Sequence, residues 1–140
     1  MSQTQQDIIH TLNRYACACD SRDWSLFDDV FADNVHAVYG GYEFNSRAEV
    51  ISIIKNSLGG CGPTQHLLGN YDVTVDAAIA KTKCYVRASH YGLGEHDGEL
   101  YEVWGEYCDT LQSSHGQWLI IEREFRIYNE IGSRRLLKPA

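Results

Sequence analysis

Asp20 stands where a carboxylate is out of place, and the chemistry of the chain is read from that position. The stretch Arg14-Tyr15-Ala16-Cys17-Ala18-Cys19-Asp20-Ser21-Arg22-Asp23-Trp24 reads as the last turns of one amphipathic helix, a break, and the start of a second. Ile8, Leu12, Tyr15 and Cys19 recur at helical steps, which lays one apolar stripe along about four turns. Asp20 then falls at the C-terminal end, where the helix dipole disfavours a carboxylate by roughly half a kcal/mol unless a cation compensates. Two readings stay open on these residues. Either Asp20 or Asp23 caps the next helix, or Asp20 faces inward to meet an imidazolium. The imidazoles on offer are His66 and His90, both in segments of alternating pattern. Such a strand histidine either packs with its nitrogens bonded to backbone or serves as acid and base.

Other chemistries find less support. His10, His36, His96 and His115 read as surface or turn residues, and no pair of histidines has the spacing that metal ligands favour, so no metal site is expected. A serine triad lacks its G-x-S-x-G elbow. The cysteines at 17, 19, 61, 84 and 108 are odd in number and contain no C-x-x-C pair. They read as free thiols packed as small apolar groups, in a reducing compartment. Tyr85, Tyr91, Tyr101, Tyr107 and Trp104 read as core or interface packing.

The elements that must position these groups follow in order. After the first helix, Trp24 to Phe31 reads as a short second helix, ended by the turn chemistry of Asp33-Asn34. Val35 to Tyr39 is a short strand closed by Gly40-Gly41. Ser46 and Glu49 form a capping box that opens a third helix, which buries Val50, Ile51, Ile54 and Leu58 and stops at Gly59-Gly60. From there the period becomes two. Strands are predicted over 64–71, 72–75, 79–91, 100–111 and 117–128, joined by turns and one Gly-rich loop. With no helical pattern between them, they form a mainly antiparallel sheet. The expected fold class is α+β: three N-terminal helices on a curved sheet, a cone with one internal pocket, spanning residues 1–140 as a single domain. Residues 1–5 read as a mobile tail, and the segment from Gly132 reads either as a cover over the sheet or as a second mobile tail.

Composition sets the outer limits. A chain of 140 residues suits one domain that buries roughly 70% of its unfolded surface. Nineteen acidic against twelve basic residues give a formal charge of −7, and the only basic cluster is Arg134-Arg135. Nucleic acid and anionic membranes are therefore poor partners. No run approaches the roughly eighteen apolar residues of a spanning helix, and the polar N-terminus is no signal peptide, so the expected location is cytoplasmic.

Several stretches together resemble the nuclear-transport-factor-2-like superfamily of cystatin-like α+β cones. They are Tyr15-x-x-x-x-Asp20, Asp23-Trp24, Phe31-Ala32-Asp33-Asn34-Val35, Thr64-Gln65-His66 with Asn70, Gly105-x-Tyr107-x-Asp109 and Gly116-Gln117-Trp118. The likeness is to the branch that holds scytalone dehydratase and polyketide cyclases. It implies that Asp20 and His66 form a catalytic dyad, with His90 as a second acid or base and Tyr39 as a carbonyl-polarising residue. It further implies that Tyr15 and an arginine of the last strand, Arg123 or Arg126, bind substrate. Cys19 stands where the fungal enzyme has a second tyrosine, and its Ser/Asn pair has no clear match, so the likeness does not carry scytalone itself as substrate.

Such a dyad suits β-elimination without a cofactor. Neutral imidazole takes the proton beside a carbonyl, the carboxylate fixes its tautomer, and the imidazolium returns the proton to the leaving hydroxide. The implied partner is a small apolar or aromatic carbonyl compound: a hydroxy-ketone, phenolic polyketide or steroid-like molecule. Two alternatives stand beside the dehydratase, a double-bond isomerase or cyclase in the same pocket and a non-catalytic binding protein. Relatives of this fold pack as dimers or trimers, so a homo-oligomer is expected.

Overall fold

The computed structural model describes residues Met1–Ala140. Ser2 opens α1 (Gln3–Ser21) with a reciprocal capping box, its side chain accepting from the Gln5 N–H while the Gln5 side chain accepts from the Ser2 N–H. The stripe Ile8, Leu12, Tyr15 and Cys19 is buried. The helix ends at Arg22, whose φ of 56° places it in the left-handed region. Glycine is the usual occupant of that cap, and a residue with a Cβ gives up about 1 kcal/mol to hold it.

The second helix is shorter and tighter than the sequence suggests. It is a single 3-10 segment, Trp24–Asp29, and Phe31 already belongs to β1 (Phe31–Tyr39). The reason is long-range: the Val30 carbonyl accepts from the Ile120 N–H at 2.8 Å, so the sheet takes the chain before another turn can form. Asp33 and Asn34, read as a turn, are carried within β1 as exposed residues over a register shift between Phe31 and His36. β2 (Tyr42–Phe44) folds back on β1 across Gly40-Gly41, both at positive φ. Ser46 caps α2 (Arg47–Leu58) by accepting from the Glu49 N–H at 3.1 Å. The Glu49 carboxylate reaches past Ser46 to the Asn45 N–H, so the expected box is offset by one residue.

The long strands are β3 (Thr64–Asp76), β4 (Ile79–Tyr91), β5 (Leu100–Ser114) and β6 (Gln117–Gly132). β3 is one strand where two were expected, because a bulge between Gly69 and Asp72 keeps the pairing with β4 across the break. Asn70 takes the left-handed conformation there, with φ of 53°. The sheet order is β2-β1-β6-β5-β4-β3. All neighbours are antiparallel except β1 with β6, which run parallel. The sheet stays open, with β2 and β3 as its edges.

Alternation sorts the two faces. Ala80, Thr82, Cys84, Val86, Ala88 and His90 of β4 are buried, while Lys81, Lys83, Tyr85 and Arg87 point outward. α1 packs against β3 and β6 and α2 against β1. The core between them includes Ile8, Leu12, Phe27, Phe31, Val50, Leu111 and Ile120. After β6 the chain turns through Arg134–Leu136 and buries Leu136 against Ala88, Tyr101 and Val103. Lys138 then bonds to the end of α2, its N–H donating to the Ser57 carbonyl and its carbonyl accepting from the Gly60 N–H. No helix is long and apolar enough to cross a membrane.

Candidate active site

Thr64 and His66 are two apart on β3, so both side chains point to the inner face, where the end of α1 meets them. There Asp20 accepts three hydrogen bonds. The His66 ring Nδ1 lies 2.7 Å from Oδ1, the Thr64 hydroxyl donates to Oδ1 at 2.9 Å, and the His66 backbone N–H donates to Oδ2 at 2.8 Å. Burial alone pushes the Asp20 carboxyl up, but the bonds from the His66 ring, the His66 backbone and Thr64 outweigh it and hold it below the usual range. Asp20 is therefore an anion at neutral pH, and Nδ1 of His66 carries the proton. Nε2 is the ring nitrogen not engaged by the carboxylate, on a ring that lines the cavity. The Asp20 side chain is 25% exposed and that of His66 only 7%, so the pair is largely screened from bulk water.

A second group of polar atoms faces the same space. The Tyr39 hydroxyl of β1 donates to the Tyr15 hydroxyl of α1 at 3.1 Å. Behind them Arg123 of β6 is fully buried, bonded through Nε and Nη2 to both oxygens of Asp109 at 2.8 Å. Its guanidinium carbon lies 4.1 Å from the Tyr15 ring centre and 3.9 Å from that of Tyr107, and Nη1 reaches the Tyr39 oxygen at 3.5 Å. Burial pushes both tyrosine hydroxyls above their ordinary range, so they remain neutral O–H donors. The cation polarises the pair without being open to the cavity.

The cavity holds about 630 Å³, and fourteen of its twenty lining residues are hydrophobic. That is the size and character of a small-molecule pocket rather than a peptide groove. Tyr15, Tyr39, His66 and His90 supply polar atoms, while Phe44, Ile53, Phe125 and Ile127 are among the apolar walls. The His90 Nδ1 bonds to the Tyr101 carbonyl at 3.0 Å, and the ring centre lies 5.9 Å from that of His66. Burial pushes His90 down to about 4, so at neutral pH its Nε2 is an acceptor with no proton to give. Neither the acid nor the base role foreseen for it fits a ring that burial keeps neutral; acceptance of a hydrogen bond does.

Arg126 is elsewhere. Arg123, Phe125 and Ile127 share the inner face of β6, whereas Arg126 lies on the outer face, half exposed and bonded to Glu124 and Glu106. This corrects the expectation that left both arginines open as pocket residues: alternation after the register shift at Thr110/Leu111 turns only Arg123 inward.

Three participants carried no assigned role in the sequence reading. Asp109, the last residue of the Gly105-x-Tyr107-x-Asp109 stretch, is the counter-ion of Arg123; its inward parity with Tyr107 was the available signal. Thr64 precedes His66 by two, which places it beside the dyad. Arg22 answers the demand for a cation near the end of α1: its guanidinium donates to the Cys19 carbonyl at 2.8 Å and to the Thr64 hydroxyl at 2.8 Å. No set of three or more His, Cys, Asp or Glu side chains converges as a metal site would require.

A family model for the SnoaL-like domain matches residues 2–124. The chain belongs to the SnoaL-like family. No curated protein sequence matches this SnoaL-like chain. Among solved structures, a protein of Kribbella flavida superposes with a TM-score of 0.84 at 20% identity, covering 91% of this chain and 92% of its own. A candidate scytalone dehydratase of Novosphingobium aromaticivorans gives 0.82 at 19% identity over 97% and 92% of the two chains. The type 3 hexachlorocyclohexane dehydrochlorinase LinA of Novosphingobium barchaimii gives 0.79 at 14% identity over 93% and 90%. At these identities the likeness is one of fold, and it bears out the resemblance to cystatin-like α+β proteins.

Proposed function

We propose that this SnoaL-like chain is a cofactor-independent lyase that removes water from a small, largely apolar β-hydroxy ketone. The observation that carries the reading is the 2.7 Å bond between Asp20 Oδ1 and His66 Nδ1, beside an apolar cavity that His66 lines. Nε2 of His66 takes the proton from the carbon beside the carbonyl. The electron pair moves toward the carbonyl oxygen, which accepts a hydrogen bond from the Tyr15–Tyr39 pair. Each well-placed donor in such a site lowers the barrier by about 3 kcal/mol. As the carbonyl re-forms, the β-carbon–oxygen bond breaks, and the imidazolium gives its Nε2 proton to the departing hydroxide. Water and an unsaturated ketone leave, and His66 is neutral again. Asp20 stabilises the imidazolium without being protonated.

The hydrophobic walls favour a ring system, and the inward acceptor of His90 suits a substrate hydroxyl. The test is to incubate β-hydroxy ketones with wild type, His66→Ala and Asp20→Asn and follow the mass of the product. Loss of water by wild type, slowed about 10²- to 10⁴-fold in both variants, is expected. A product of unchanged mass would mark an isomerase or cyclase instead. Turnover that survives His66→Ala would end the dyad mechanism.

A further inference from the structure

We infer that Arg22 is a positioning residue that fixes the protonation pattern of the Asp20–His66 dyad through the Thr64 hydroxyl, an inference that rests on the dyad reading above. Arg22 occupies the cap of α1 at a φ of 56°, where glycine would be easier, and its side chain turns back under the helix end. Its guanidinium touches no carboxylate. It donates instead to oxygens of three segments: Cys19 at the end of α1 (2.8 Å), Leu58 at the end of α2 (3.0 Å), and Gly62 in the loop before β3 (2.6 Å). The other close contact, at 2.8 Å, is to the Thr64 hydroxyl oxygen.

That last contact sets a direction. A guanidinium has donors only, so the Thr64 oxygen must accept from it. The single hydroxyl proton of Thr64 is then committed to its other neighbour, Asp20 Oδ1, at 2.9 Å. Oδ1 is the oxygen that also binds His66 Nδ1. The chain Arg22, Thr64, Asp20, His66 therefore points every proton one way, toward the carboxylate. In that arrangement Asp20 has no use for a proton of its own and Nδ1 of His66 stays a donor, so any base on the ring is Nε2. Without Arg22, the Thr64 oxygen has lost the donor that commits its own proton to Asp20. The same fork also ties the loop at 61–62 to both helices, which holds the start of β3 against Asp20.

The test separates this role from the dyad itself and from simple scaffolding. In nitrogen-15-labelled free protein, the His66 Nδ1 proton is followed by NMR in wild type, Arg22→Gln, Thr64→Val and Thr64→Ser. Thr64→Val leaves the Arg22 ties to the helices and loop in place, so it stands if Arg22→Gln does not fold. We expect the Nδ1 proton to exchange about tenfold faster in Thr64→Val and in Arg22→Gln, with loss of the single tautomer, and to recover in Thr64→Ser. In turnover of β-hydroxytetralone, kcat falls about tenfold in each variant with KM little changed, and the double variant is no worse than Arg22→Gln alone. An unchanged exchange rate and tautomer in both Thr64→Val and Arg22→Gln overturn the positioning role. If turnover instead survives His66→Ala while the NMR effects appear, the relay stands and the lyase reading is what fails.

Discussion

A histidine whose Nδ1–H is held by a carboxylate can exchange protons with the cavity only through its other nitrogen, and the bonds gathered on Asp20 keep Nδ1 a donor. His90 shows the contrasting case. It is the same side chain on the neighbouring strand, but its Nδ1 meets a neutral carbonyl and burial lowers it from the ordinary 6.5 to about 4. The consequence for stability has a definite sign. Between those two values the unfolded chain takes up a proton at this residue that the folded chain refuses. His90 therefore lowers stability as pH falls from 6.5 toward 4, by up to roughly 1.4 kcal/mol per unit. Urea unfolding of wild type and His90→Asn across that range should show the difference, with the variant curve flatter; parallel curves would count against a buried neutral His90. Asp20 acts in the same direction, at lower pH. Its lowered carboxyl contributes stability that is present above its unfolded value and lost as acid carries the solution through the folded one. At this scale the sequence was informative about single residues. Asp20 was conspicuous because a helix end disfavours it, and the inward parity of Thr64 and His66 follows from alternation. Arg22 was hidden because its partners lie about forty residues away, at Leu58, Gly62 and Thr64. No local pattern signals a contact of that range.

At the scale of elements, strong periodicity was legible and weak segments were not. The stripe of α1, the cap of α2 and the alternation of β3 to β6 all appear in the residues themselves. Trp24 to Phe31 looked helical because its apolar spacing fits a helix, yet pairing of Phe31 with Ile120 claims the end of it for the sheet. β2 has only three residues, too few for any period to show. Of the bulges, the one in β3 showed only as a break between two expected strands, and another depends on a glycine. Gly105 sits at the register shift between β5 and β6, and a Cβ there would lie 1.8 Å from the Arg126 carbonyl oxygen. Because that neighbour is backbone, relief requires β6 to move. Gly105→Ala is expected to cost about 3 kcal/mol, read from thermal or urea unfolding, and to disturb Arg123 and Phe125 on the same strand. A loss below about 0.5 kcal/mol would show that the strands separate more easily than this packing implies.

For the molecule as a whole, the cavity is a product of assembly: α1, α2, all six strands and the segment after β6 each contribute lining residues. The sheet never closes on itself, so its two edges do not meet to complete the cavity. The last residues supply part of what closure would have given. Leu136 is 1% exposed in a small cluster of its own, Leu137 lines the cavity, and Lys138 is bonded to the end of α2. Leu136→Ala should therefore cost about 2–4 kcal/mol and loosen one wall. Faster amide exchange at Gly60 and Lys138, with the core strands still protected, is the expected pattern; uniform destabilisation would mean that the segment is not a separate unit. That residues 132–140 cover the sheet was one of two readings open in the sequence, and their short apolar pair carries no periodicity to choose between them.

Asp109 and Arg123 have a consequence for how sequences of this kind can diverge. Each side chain is closed off from solvent, and Arg123 is further clasped between the rings of Tyr15 and Tyr107. Changing one member alone strands a full charge in an apolar interior, a loss of about 3–5 kcal/mol that a marginally stable domain cannot absorb. Drift at these two sites must therefore run through paired replacement, salt pair for neutral pair. An aligned set of relatives should show the two columns turning over in step while the rings beside them stay aromatic wherever the arginine persists.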